Sequence, residues 1–261
     1  MWLRISAFLL RYYYIHRRSP ARIMEIFFWP VMNLLVWGFM TVYLERMAAP
    51  KTMIFLLGNI ILWDVLYRSQ QGITFNITEE FWVRNIINIF IAPLRISEFI
   101  GAICIVGVIK SLITTAFLGI LAFLLYRFNI LLVGPALVPF IGNLLLFGWA
   151  VGLFTMALIF RYGRAAEALI WGVPFLIQPI SAVFYPVDVL PGWLRPIALA
   201  LPSTHVFEGM RLVLQKGIID LTGLAIAFGL NLVYLLLGGL YFGWMLGKVR
   251  ERGYLSRVQM E

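Results

Sequence analysis

The sequence predicts an all-α membrane protein with six transmembrane helices, and three observations carry that prediction. The chain of 261 residues is 62% hydrophobic and only 13% charged, whereas soluble domains carry about 25% charged residues. Its apolar residues gather into six runs long enough for a helix to cross ~30 Å of hydrocarbon, which takes about 20 residues. Its basic residues sit at the ends of those runs instead of forming one patch. The net charge of +9 is thereby explained by membrane topology, and a nucleic-acid partner is not expected.

Residues 1–22 mix Trp2, Leu3, Ile5, Phe8, Leu9, Tyr12, Tyr13 and Ile15 with Arg4, Arg11, Arg17, Arg18 and Arg22. That mixture suits a helix lying at the membrane surface, apolar side toward lipid and arginines toward phosphate. No short apolar core with a small-residue cleavage site follows the basic start, so no removable signal peptide is expected.

The six spans are expected at 24–45, 52–72, 97–126, 131–160, 166–185 and 218–247. Pro30, Pro135, Pro139, Pro174 and Pro179 lie in or near them, which membrane helices tolerate. With the N-terminus inside, fourteen Lys and Arg fall on inner segments and six on outer ones. That bias places both termini in the cytoplasm, the tail 248–261 included.

Two connections are not simple turns. Between spans two and three, Thr78 can cap a helix whose first turn holds Glu79 and Glu80. Phe81, Ile86, Ile89 and Phe90 then recur at near-helical spacing until Pro93 stops the run. An amphipathic helix there suits the groove of a soluble partner. Between spans five and six, residues 186–217 are too apolar for a solvated loop. Yet Pro186, Pro191, Pro196 and Pro202, with Asp188, Arg195, Glu208 and Arg211, make a full crossing costly. A pair of short helices dipping into the outer leaflet and returning satisfies both constraints. Glu208 and Arg211 are expected to steady that hairpin by caps or an ion pair.

Catalytic signatures are few. His16 and His205 show no metal-gathering spacing. GxSxG and GxxxxGK[ST] patterns are missing, so ATP hydrolysis through a phosphate loop must belong to another protein. Cys104 lies in an apolar run and reads as a small buried hydrophobe. Asp64, Arg68 and Lys110 fall inside spans, where an ionisable group is a functional candidate. Asp64 and Arg68, spaced i, i+4, share a helix face and can pair.

The segment "SAVFYPVDVLPGWLRPIALALPSTHVFEGMR" at 181–211 resembles the membrane domain of ABC-2 type transporters, in which a Pro-rich re-entrant hairpin precedes a P-x-T…E-G-x-R stretch. Pro186, Leu190, Pro191, Trp193, Pro202, Thr204, Glu208, Gly209 and Arg211 fit that pattern. "EEFWVRNIINIFIAPLRISEF" at 79–99 is similar to the family's coupling segment. The resemblance covers the whole chain as one domain. It implies a permease subunit of a bacterial ABC exporter in the cytoplasmic (inner) membrane, not itself an enzyme. It also implies two copies of an ATP-binding subunit carrying ATP and Mg, no cofactor or metal in this chain, and a second permease chain, expected as a homodimer. Glu79, Glu80, Phe81, Trp82, Arg84 and Asn85 would contact the ATPase. Pro186, Pro191, Trp193, Pro202, His205, Glu208 and Arg211 would shape the outer gate. The cargo would be amphipathic, lipid-linked or glycan-like. The competing expectation is an ion-coupled carrier using Asp64 and Lys110. A membrane-embedded enzyme is disfavoured, because few polar residues converge from several spans.

Overall fold

The computed structural model describes residues 2–46, 52–83 and 96–251. Among them every regular element is helical. The order is α1 (Trp2–Arg17), α2 (Pro20–Arg46), α3 (Thr52–Trp82), α4 (Ile96–Tyr126), a 3-10 stretch (Ile130–Ala136), α5 (Leu137–Tyr162), a 3-10 turn (Gly163–Ala166), α6 (Leu169–Ile180), a 3-10 turn (Val187–Val189), α7 (Arg195–Leu199), α8 (Pro202–Lys216) and α9 (Leu221–Glu251). Residues 84–95, with Arg84 and Asn85, lie outside the described part, as do the last ten residues.

Local chemistry sets the first boundaries. The residue before a proline avoids the helical region, and proline favours the first position of a helix. Accordingly α1 stops at Arg17 and α2 starts at Pro20. The N-terminal helix expected over 1–22 is therefore shorter, and Arg22 belongs to α2. Further along the chain, α8 closes on Gly217, whose φ of +68° suits a residue without a Cβ.

Among the described residues, four helical segments are long and apolar enough to cross a membrane: 22–44, 97–126, 130–162 and 221–248. They expose their apolar side chains freely. Phe39, Val138 and Leu236 are each at least 64% exposed, and an apolar exterior this extensive needs lipid around it. The chain is a multi-pass, all-α membrane protein.

The other two expected spans take different forms. α3 runs for 31 residues, about 46 Å at the helical rise. Its polar content excludes it from the apolar set: Asn59, Asp64, Arg68, Ser69, Gln70, Gln71, Thr74, Asn76, Thr78 and Glu80 all lie along it, and all are buried. These groups face protein, as polar groups in a lipid-surrounded bundle must. α6 has 12 residues, about 18 Å, and does not by itself match the expected span 166–185.

α3 is the axis of the bundle, packed along α2, α4 and α5, while α9 lies along α5. Small residues permit the close approaches. A Cβ on Gly72 would lie 2.8 Å from the Gly107 Cα on α4, and one on Gly148 of α5 would lie 2.7 Å from the Leu66 carbonyl oxygen. Ser69 seals the second contact by donating to the Leu145 carbonyl at 2.8 Å. Two apolar clusters stack along this axis. One joins Leu57, Ile61, Phe140, Phe147, Phe207 and Met210. The other joins Tyr12, Ile73, Ile77, Phe99, Ile103 and Phe160.

Candidate functional site

Three groups of polar residues stand out against the apolar bundle, spread along the length of α3. The first surrounds its C-terminal end. Here the expected helix starting at Thr78 is not a separate element. Thr78 is buried inside α3, which continues through Glu79 and Glu80 to Phe81 and Trp82. Nothing interrupts the helix before it, so Thr78 has no capping role.

The two glutamates meet arginines of α1 and α2. Arg11 of α1 holds Glu80 with two parallel bonds, Nη1 to Oε1 at 2.6 Å and Nη2 to Oε2 at 2.9 Å. Arg22 of α2 pairs with Glu79. Arg4 of α1 reaches Glu98, in the first turn of α4, at 3.3 Å. Glu80 and Glu98 are buried. Arg4, Arg11 and Arg22 thus pair with protein carboxylates. Glu79 and Glu80, expected to face a partner, pair with arginines of this chain. Trp82 is nearly half-exposed and donates its ring N–H to Glu167 at 2.8 Å.

Electrostatics follow from this packing. Bonding to Glu80 raises the Arg11 pKa further above its ordinary value. Burial, reinforced by Glu80, pushes up the pKa of the Tyr12 phenol. His16 moves the other way: burial lowers its pKa, and nearby Lys110 and Arg22 add to the effect. Its Nδ1–H donates to the Tyr12 carbonyl at 2.8 Å.

The second group lies midway along α3. Asp64 Oδ1 stands 3.5 Å from Arg68 Nε, and Arg68 Nη2 donates to the Ile26 carbonyl at 2.8 Å. This pair separates two cavities. Asp64 lines one of about 350 Å³, walled by Trp29, Asn33 and Trp37 of α2, Trp63 and Tyr67 of α3, and Trp171, Phe175 and Gln178 of α6. Its rim includes Trp37 and Phe184, stacked with ring centroids 4.1 Å apart. Arg68 lines the other, about 140 Å³, together with His16, Arg22, Gln71, Glu79 and Lys110. Asp64 and Lys110 therefore line different cavities.

The third group organises the stretch after α6. Pro186 leads into a 3-10 turn, and α7 and α8 follow as two short helices. Glu208 accepts from the Val187 N–H at 2.8 Å and from Arg211 Nη1 at 2.7 Å. Arg211 Nη2 also donates to the carbonyls of Ala182 at 2.8 Å and Tyr185 at 3.0 Å. Its guanidinium stands 5.2 Å from the Phe55 ring centroid, a cation–π contact. Glu208 and Arg211 together bind the 182–187 turn to α8. His205 lies within hydrogen-bond distance of the Leu199 carbonyl, 2.9 Å. Pro202 is buried at the start of α8, whereas Pro191 and Trp193 are exposed.

Several contacts are invisible to local sequence patterns. Arg11 and Glu80 are 69 positions apart, and nothing in either neighbourhood marks them as partners. The same holds for Asn59 on the Val183 carbonyl at 2.9 Å and for Asn231 on Asn143 at 2.9 Å. No group of three or more His, Cys, Asp or Glu gathers among the described residues. In comparisons with known proteins, neither a protein-family model nor a curated protein sequence matches the chain.

Proposed function

We propose that this chain is the membrane-spanning permease subunit of an ATP-driven exporter of the ABC-2 type, and that it moves an amphipathic, lipid-linked or glycan-like cargo outward. The observation that carries this reading is the fastening of both ends of the 83–96 connection. Arg11 and Arg22 hold Glu80 and Glu79 where α3 ends, and Arg4 holds Glu98 where α4 begins. A force on that connection from a soluble partner passes directly into α1 and α2, and along α3 into the bundle. The aromatic cavity beside Asp64 supports an amphipathic or ring-containing cargo, because flat apolar walls with few polar groups bind such surfaces.

In this reading both termini lie in the cytoplasm of a bacterium, at its inner membrane. Two permease chains form a homodimer that engages two ATP-binding subunits, which hold ATP and Mg. α3 crosses the bilayer despite its polarity because its neighbours shield it, and the turns flanking α6 complete the fifth of six crossings. The paired helices α7 and α8 form the outer re-entrant element, held by Glu208 and Arg211. The partner contacts reside in Trp82, Arg84 and Asn85, since Glu79 and Glu80 are engaged within the chain.

The test is co-expression with the cognate ATPase. Arg84→Ala with Asn85→Ala should weaken co-purification and abolish stimulation of ATP hydrolysis. Arg11→Ala should leave complex formation intact and lower transport. Vigorous cargo movement by the reconstituted chain alone, driven by an ion gradient without ATP, would overturn the proposal and favour the ion-coupled reading through Asp64 and Lys110.

A further inference from the structure

The two faces of α1 are occupied differently. The inner face is engaged by protein: Ile5 and Tyr12 are buried, and Phe8 meets the Phe99 ring of α4 edge-on at 5.4 Å. On that side Arg4 and Arg11 also hold Glu98 and Glu80. The outer face is bare among the described residues. Trp2, Leu3, Leu10, Tyr13 and Tyr14 are all exposed there, Leu3 by 87%, and their spacing puts them on one helical stripe. The stripe ends in Arg17 and Arg18, both exposed. Neither guanidinium makes an ion pair or hydrogen bond among the described residues, and α1 contains no Asp or Glu to offset them. Of the five arginines in residues 1–22, these are the two that protein carboxylates leave free.

The position of α1 indicates what the stripe meets. α1 adjoins the starts of two apolar segments: α2 enters one at residue 22, and α4 enters another at residue 97, beside the Arg4–Glu98 pair. It therefore lies where the apolar bundle begins. A helix at that level, with an apolar stripe and aromatic rings, suits the headgroup region. Two unpaired cations at the end of the stripe fix the sign of the surface they face.

We propose that the outer face of α1 docks on anionic phospholipid headgroups, with Arg17 and Arg18 reading their charge. Arginine forks match phosphate oxygens, while Leu3 and Leu10 enter the acyl boundary beneath. The contact bears on the 83–96 connection. Lipid grips one side of α1, and the other side grips Glu80 and Glu98 at the two ends of that connection, so the charge of the leaflet braces it. The lipid contact needs only residues of this chain, whereas the use of the brace rests on the proposed coupling to an ATPase. A binding experiment without ATPase makes the two fail separately.

The experiment uses the full chain with Cys104, its single cysteine, replaced in Cys104→Ser and a bimane label attached through Leu10→Cys. The protein is held in phosphatidylcholine nanodiscs. Phosphatidylglycerol or phosphatidylcholine with a spin-label quencher on its acyl chain is then added in rising fraction. Phosphatidylglycerol should quench at the lower fraction, and added salt should weaken that preference. Arg17→Gln and Arg18→Gln should each raise the phosphatidylglycerol fraction for half quenching by about fivefold, and together by about thirtyfold. Quenching by phosphatidylcholine should not change. Arg127→Gln, an exposed arginine just past the opposite end of α4, should leave both lipids unaffected. Both tested arginines are exposed and unpaired, so the variants should melt with the wild type, which separates lost contact from lost folding. Basic residues also suit a helix C-terminus, but that role is blind to lipid charge. Equal quenching by the two lipids in the wild type, or a preference undiminished in the double variant, would overturn the proposal.

Discussion

Arg211 donates a hydrogen bond to the carbonyl of Ala182, 29 positions earlier and one of two non-glycine residues with positive φ among those described. A left-handed alanine costs roughly 1–2 kcal/mol, and it persists where surrounding contacts over-determine it. Arg211 supplies such contacts through Ala182, Tyr185 and Glu208. Arg211→Met should therefore lower stability by about 3 kcal/mol, because it strands two carbonyls and a carboxylate. Glu208→Gln should cost about 1 kcal/mol, since that side chain is partly exposed and its amide oxygen can still accept from Val187. Thermal unfolding in one detergent compares the two, and equal losses would contradict this ranking.

Arg11 and Glu80 form a two-pronged pair with the carboxylate buried. Removing one partner takes the paired opposite charge from the other, which costs about 3 kcal/mol. Arg11→Met and Glu80→Gln should each destabilise, and together they should cost clearly less than their sum. A double-mutant cycle followed by thermal unfolding measures that coupling, and strict additivity would show that the pair is incidental.

His16 titrates below its usual range because of burial and of Lys110 and Arg22 nearby. Its folded pKa thus lies beneath the unfolded value of about 6.5. Between those two values the unfolded chain binds more protons than the folded one. Stability is accordingly full above about pH 6.5 and falls as the pH drops through that value, levelling off below the folded pKa. The pH dependence of unfolding should become flatter across this window in His16→Gln, and an unchanged slope would assign the effect elsewhere.

Two glycines of α5 provide a contrast. A Cβ on Gly148 would lie 2.6 Å from Ser69 Cβ and 2.7 Å from the Leu66 carbonyl oxygen, whereas one on Gly142 meets nothing within 4 Å. Gly148→Ala should cost about 2 kcal/mol or more by forcing α3 and α5 apart. Gly142→Ala should be neutral or stabilise by up to about 1 kcal/mol, as expected in a helix interior. Melting temperatures of the two variants in the same lipid or detergent decide the matter.

The apolar helices were the easiest part to read, because length and hydropathy alone identify α2, α4, α5 and α9. After α6, Pro196 and Pro202 stand in the first turns of two short helices, where proline is favoured. What the sequence hid was depth and direction. Thr78, Glu79 and Glu80 have the local pattern of a helix start, yet α3 passes straight through them, because Arg11 and Arg22 arrive from elsewhere to satisfy the acids. A capping pattern describes what a segment could do unaided, and here a contact across 69 positions decides. The same limit conceals the small cavity beside α3, whose wall draws on four helices with no shared motif.

The polar interior of α3 bears on how the protein is made. In the proposed six-span topology α3 crosses the bilayer, and there Asp64 and Arg68 would each cost about 2.5–3.5 kcal/mol near the centre of a lone helix entering lipid, with the buried amides and hydroxyls adding to that burden. α5, whose one charged residue is Arg161 in its last turn, carries no such burden and can leave the translocon unaided. Biogenesis should then run out of sequence order: α3 lingers at the translocon exit until later-synthesised helices close around it, and the membrane receives a partly assembled bundle instead of one helix at a time.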